Sequence, residues 1–191
     1  MRKIVLFTSM SLDGYIAGPN GELDWQTVDE ELHGHFNDVL KTMSAFLCGR
    51  VMHEMMAEFW PTADADPSAP PVMAEYAGIW RDMPKIVFSR TLDHADWNAT
   101  IMRDVDVDAI TALKQQPGGD MSLGGADLAG AFMELGLVDE YRIYIHPVLI
   151  GQGKPFFPAP GALVGLELSE TRTFGSGVVL LHYRRSEPTG R

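Results

Sequence analysis

Two places in the sequence set glycine between a short apolar run and the start of a helical pattern: Leu47-Cys48-Gly49-Arg50-Val51 and Leu123-Gly124-Gly125-Ala126-Asp127. Glycine lets a backbone approach a ligand closely, and the first amides of the helix that follows carry partial positive charge, which suits a pyrophosphate. Taken alone, each junction more often means a simple turn out of a strand. A third strand end, Phe88-Ser89-Arg90-Thr91, gathers two hydroxyls and a guanidinium. Paired charge-assisted hydrogen bonds from arginine, completed by hydroxyls, are the chemistry that holds a phosphomonoester, and the 2′-phosphate of NADPH is the natural candidate.

Other chemistry-bearing residues read as structural. His33 and His35 lie two apart on a helical pattern and point to different sides, so no metal site is expected there. His146 and His182 fall in strand patterns, Cys48 sits beside a glycine turn as a core residue, and Asp13-Gly14 shapes a turn. Gly151-Gln152-Gly153-Lys154 lacks the spacing of a phosphate loop and is followed by Pro155, so it reads as a turn.

The elements that must position these residues alternate along the chain. Apolar strand patterns cover Lys3 to Ser9, Ala45 to Cys48, Lys85 to Ser89, Thr100 to Arg103 and Asp120 to Leu123. Helical spacing runs over Asp29 to Met43, Val51 to Phe59, a short stretch around Met73 to Trp80, Asp106 to Gln116, and the Leu128, Phe132, Leu135 face. Residues 10 to 28 are dense in turn formers and specify a long loop, while the proline-rich 61 to 71 segment cannot be a core element. Tyr141 to Ile150 is a strand, and Leu163 to Phe174 and Val178 to Arg184 form a hairpin joined by Gly175-Ser176-Gly177. The pattern predicts an α/β fold: a mixed, mostly parallel sheet flanked by helices, with a C-terminal antiparallel hairpin. One domain over 1–185 and a short tail over 186–191 account for the length.

Composition narrows the function classes. Of 191 residues, 46% are hydrophobic and 21% charged, as in a globular protein, and the formal charge of −11 comes without any run of Lys and Arg, which excludes a nucleic-acid surface. No apolar stretch approaches the roughly 20 residues of a membrane helix, so no membrane partner is expected. A single cysteine and no signal-peptide pattern fit a cytoplasmic protein.

Taken in order, Ser9-Met10-Ser11-Leu12-Asp13-Gly14-Tyr15-Ile16-Ala17, Asp24-Trp25, Leu47-Cys48-Gly49-Arg50, Val87-Phe88-Ser89-Arg90-Thr91-Leu92 and Leu123-Gly124-Gly125-Ala126 resemble the dihydrofolate reductase superfamily. They look most like the riboflavin-pathway reductase domain (RibD C-terminal) and its stand-alone relatives. That resemblance implies an NADPH-dependent reductase. Hydride would pass from the nicotinamide to a small heterocyclic or sugar-like substrate, as in 5-amino-6-(5-phosphoribosylamino)uracil reductase. Ser9, Ile16 and Ala17 would line the nicotinamide end. Gly49, Arg50, Val51 and Met52 would approach the pyrophosphate and ribose, Ser89, Arg90 and Thr91 would hold the 2′-phosphate, and Gly124, Gly125, Ala126, Asp127 and Leu128 would cover the pyrophosphate. Trp25 and Phe36 would face the substrate, and the Leu12 to Trp25 loop would close over the reaction centre.

Dihydrofolate reductase proper carries an acidic residue early in its first helix, whereas Leu32-His33 stand here, which leaves Asp24 and Glu31 as the proton-donor candidates. Lys154 and Arg172 are the cations available to a ribose phosphate. The single cysteine excludes the zinc deaminase that accompanies this reductase domain elsewhere. A homodimer through the terminal strands is implied. A stand-alone dihydrofolate reductase and a non-catalytic NADPH-binding protein are the alternatives.

Overall fold

Strand β1 (Ile4–Ser11) begins with three apolar residues that are all essentially inaccessible to solvent, because helices cover both faces of the sheet it belongs to. A computed structural model describes residues 1–157 and 163–186; beyond Ser186 the expected tail lies outside the described residues. The first half adds β2 (Tyr15–Ala17), α1 (Glu30–Leu40), β3 (Ala45–Gly49), α2 (Arg50–Phe59), α3 (Pro71–Asp82), β4 (Lys85–Phe88) and β5 (Ala99–Met102). The second half adds α4 (Val107–Gln115), β6 (Met121–Gly124), α5 (Ala126–Glu134), β7 (Glu140–His146), β8 (Lys154–Pro155), β9 (Leu166–Thr173) and β10 (Val179–Arg185).

The main sheet has eight strands in the order β5-β4-β3-β6-β1-β7-β10-β9. All pairs from β5 to β7 are parallel, and β10 and β9 add antiparallel at the end, the mixed dihydrofolate reductase-like arrangement expected. Alternate side chains divide the core. Ile4, Leu6, Leu47 and Leu123 pack with Ile110 of α4 and Leu128 and Phe132 of α5. On the opposite side Phe7 and Phe46 pack with Phe36 and Leu40 of α1 and Tyr76 and Trp80 of α3.

Several boundaries differ from the sequence expectation for local reasons. Strand β7 stops at His146 because Pro147 cannot donate to a ladder. Helix α3 is longer than the short stretch expected, since Pro71 occupies its first turn, where a missing N–H costs nothing. The 61 to 71 segment is not wholly superficial: Trp60–Thr62 form a 3-10 turn in which Pro61 is buried. Among the described residues no helix is long and apolar enough to cross a membrane.

Candidate functional site

Strand order brings the three strand ends together. β4, β3 and β6 are neighbours, with Phe88 opposite Gly49 and Cys48 opposite Gly124, so Ser89, Gly49 and the Gly124-Gly125 turn lie side by side at the carboxyl edge of the sheet. Of the helices leaving this edge, α2 and α5 lack a side-chain cap, as does α3, which starts on Pro70-Pro71. Asp29 and Asp106 cap α1 and α4 by accepting from the amides of Leu32 and Ala109, whereas α2 and α5 start at Gly49 and Gly125 with no side-chain cap. Their first amides are therefore left for another acceptor. Gly125 has φ of 89°, a conformation that a side chain disfavours, and a Cβ at Gly49 would meet nothing within 4 Å, leaving open space above the turn.

The remaining cofactor candidates take distinct positions around that edge. The Ser89 hydroxyl is buried and accepts from the amides of Leu92 at 2.9 Å and Thr91 at 3.3 Å, which shapes the turn while leaving its proton free to donate. Arg90 is 82% exposed and paired with Asp104, a weak arrangement that an incoming phosphate can displace. Thr91 is exposed beside it. Arg50 reaches Glu54 at 2.8 Å, Val51 is exposed, and the Met52 thioether lies against Gly124. Ala126 and Leu128 turn their side chains into the core, and Asp127 pairs with Lys154 at 2.6 Å. Ser9 is half-buried on β1, and Ile16 and buried Ala17 lie on β2, which pairs with β8.

Beside the glycine junctions lies a cavity of about 350 Å³ between the sheet and helices α1, α2 and α3. Phe7, Phe46, Cys48, Ser122 and Gly124 come from the sheet, His33 and Phe36 from α1, Met52, His53 and Met56 from α2, and Tyr76 and Trp80 from α3. Cys48, Met52 and Gly124 belong to both the cavity and the junctions. Burial pushes the Cys48 thiol up to about 12, so it acts as packing. Lys85 also lines the cavity and donates to the carbonyls of Trp80, Met83 at 2.8 Å and Trp97 at 2.9 Å, with its ammonium over the Trp80 ring; burial lowers it to about 8.

Of the two residues expected to face a substrate, Phe36 lines this cavity and Trp25 does not. The Trp25 ring packs edge-on against His146, and its indole N–H donates to the Glu22 carbonyl at 3.1 Å. Neither candidate acid lines the cavity. Asp24 is exposed on its loop, and Glu31 accepts from the Gly175 amide and Arg172, both at 2.9 Å, which hold its carboxyl below the usual range. Lys154 and Arg172 are thereby both committed to carboxylates.

Sequence reasoning missed His53 and gave His33 no role. His53 is 5% exposed, stacks with Trp80, and its Nδ1 has no hydrogen-bond partner. Desolvation lowers the pKa of both histidines, so both are neutral near pH 7. The available signal was spacing, since His53 shares the inward face of α2 with Met52 and Met56. Elsewhere Asp13 is structural, as expected: it accepts from the Ser11 hydroxyl at 2.6 Å and from the amides of Ile150 and Gly151. No cluster that could hold a metal occurs among the described residues.

A family model described as the RibD C-terminal domain matches residues 2–180. YyaP of Bacillus subtilis (strain 168) is 38% identical over 183 residues, covering 95% of this chain and 94% of its own. Among solved structures, a Shewanella sp. PV-4 protein named for riboflavin biosynthesis superposes with a TM-score of 0.74 at 21% identity, covering 97% of this chain and 99% of that one. A Thermotoga maritima diaminohydroxyphosphoribosylaminopyrimidine deaminase/5-amino-6-(5-phosphoribosylamino)uracil reductase gives 0.65 at 15% identity, covering 97% of this chain and 57% of that one. Dihydrofolate reductase from Enterococcus faecalis, complexed with NADP(H), gives 0.64 at 16% identity, covering 97% of each.

Proposed function

This chain belongs to the RibD C-terminal domain family, whose model matches residues 2–180, and from that membership we propose that it is an NADPH-dependent reductase of a small heterocyclic or sugar-like substrate. The observation that carries the proposal is the adjacency of two uncapped, glycine-led helix starts and an arginine-bearing strand end. Amides after Gly49 and Gly125 hold the pyrophosphate, and Ser89, Arg90 and Thr91 hold the 2′-phosphate. NADPH, when bound, supplies a hydride from its nicotinamide C4. The chain's part is to orient the two reactants and exclude water, with the Leu12 to Trp25 loop as cover. The proposal includes a homodimer through the terminal strands, which fits β9 being exposed along its whole length, Leu166 and Leu168 included.

The test is a titration with NADPH and NADH. NADPH should bind more tightly, and Arg90→Ala should weaken it by roughly ten- to a hundredfold, the worth of about 1.5–3 kcal/mol for hydrogen bonds to a charged group, with little effect on NADH. Equal affinities for the two dinucleotides would overturn the 2′-phosphate assignment. One observation favours a second reading, a non-catalytic NADPH-binding protein: no carboxylate lines the cavity. NADPH oxidation with any member of a pterin, aminopyrimidine and carbonyl panel rejects it.

A further inference from the structure

We infer that the cavity beside the glycine junctions takes a flat, uncharged heteroaromatic molecule without a phosphate, anchored by a hydrogen bond to the His53 imidazole. The inference rests on the reductase reading for its link to hydride transfer, because Met52 and Gly124 are shared between the cavity and the cofactor junctions.

Shape and wall chemistry come first. The volume of about 350 Å³ is that of a small-molecule site, and Phe7, Phe36, Trp60, Tyr76 and Trp80 contribute to its walls. Aromatic rings on several sides favour a planar π-system, which can meet them by offset stacking and by edge contacts.

Charge comes second. The lining contains no carboxylate, and its one lysine or arginine is Lys85. An ammonium has three N–H donors, and those of Lys85 are spent on the carbonyls of Trp80, Met83 and Trp97. A phosphate dianion placed among these residues would find no free cationic donor, and a cation there no anion, so either would bear most of its desolvation cost uncompensated. The reductase half of the Thermotoga maritima protein is named for a phosphoribosyl compound. The lining of this cavity points to a different substrate.

An orphaned polar atom comes third. Buried polar atoms are almost always hydrogen-bonded, yet Nδ1 of His53, a side chain in the cavity wall, is buried without a partner. Stacking on Trp80 fixes the plane of the ring. With Nδ1 closed off, Nε2 is the ring nitrogen a ligand can reach, and a ring N–H or ring nitrogen of a heterocycle would pair with it in one tautomer or the other.

The experiment uses the full chain labelled with 15N-histidine, with hypoxanthine, lumazine and quinazoline-2,4-dione as neutral probes and inosine and inosine 5′-phosphate as the sugar and phosphate controls. Binding is followed by tryptophan fluorescence, with and without saturating NADP⁺, and by the His53 imidazole 15N shifts. At least one neutral base should bind with Kd below about 1 mM and shift the His53 resonances, with NADP⁺ present, and inosine 5′-phosphate should bind at least roughly tenfold more weakly than hypoxanthine. His53→Phe keeps the stack and removes the nitrogens, so it should weaken the neutral base by about tenfold. If that variant does not fold, the wild-type 15N shifts decide. The inference is overturned if the phosphorylated control binds as well as the base, if no probe moves the His53 resonances, or if NADP⁺ displaces the probe competitively. Absence of any NADP⁺ binding would instead sink the reductase reading, and probe binding at His53 would still stand.

Discussion

Glu140 stands at the start of β7 with three basic side chains around it: Lys3 at 2.6 Å, His182 at 2.9 Å and Arg184 at 3.5 Å. Burial works to raise its carboxyl, and the hydrogen bonds from Lys3 and His182 outweigh that and hold it below the usual range. Truncation to alanine would leave His182, itself buried, facing an empty site. Glu140→Ala should therefore cost about 3 kcal/mol, read from the urea denaturation midpoint, and Glu140→Gln, which keeps an acceptor, should cost less. A midpoint unchanged in the alanine variant would show the network to be incidental. His182 thus has the structural role its strand position suggested. His146 does too, accepting from the Thr27 amide at 3.3 Å.

At the scale of elements, the helices divide by how they begin. α1 and α4 use aspartate caps, while α2 and α5 begin on glycine with free amides at the same sheet edge. A cap substitution should then separate stability from binding. Asp29→Ala should lower stability by about 1 kcal/mol and leave NADPH affinity alone. Gly125→Ala should cost about 1–2 kcal/mol from the φ of 89° and also weaken NADPH, because the strained turn must move the α5 amides. Thermal melts and dinucleotide titrations of the two variants check this, and equal affinity in both would remove the α5 start from the cofactor seat.

Across the whole molecule, burial of imidazoles couples stability to pH. His33, His35, His53 and His146 all have their pKa lowered from 6.5, with desolvation the leading cause. Below 6.5 the unfolded chain binds protons that the folded chain refuses, so stability is full above that value and declines as pH falls through it toward the lowered folded values. Denaturant midpoints should fall between pH 7.5 and 5.5, before most carboxylates titrate. A flat profile over that window would mean that these rings gain compensating partners on protonation.

Most strands and helices were legible in sequence, because apolar periodicity and caps such as Asp29 and Asp106 act among near neighbours in the chain. The two glycine junctions and Ser89-Arg90-Thr91 were legible for the same reason: a strand end, a glycine and a helix start form one local unit. Their adjacency was not. It depends on β6 inserting between β3 and β1, a pairing of distant segments settled by covering both faces of the sheet. Tertiary packing alone also turned Asp24 and Glu31 away from the cavity, sent Trp25 to His146, and stacked His53 on Trp80 in the cavity wall. Which side chains share a pocket is decided by how elements meet, and residue type and spacing within one element do not encode that meeting.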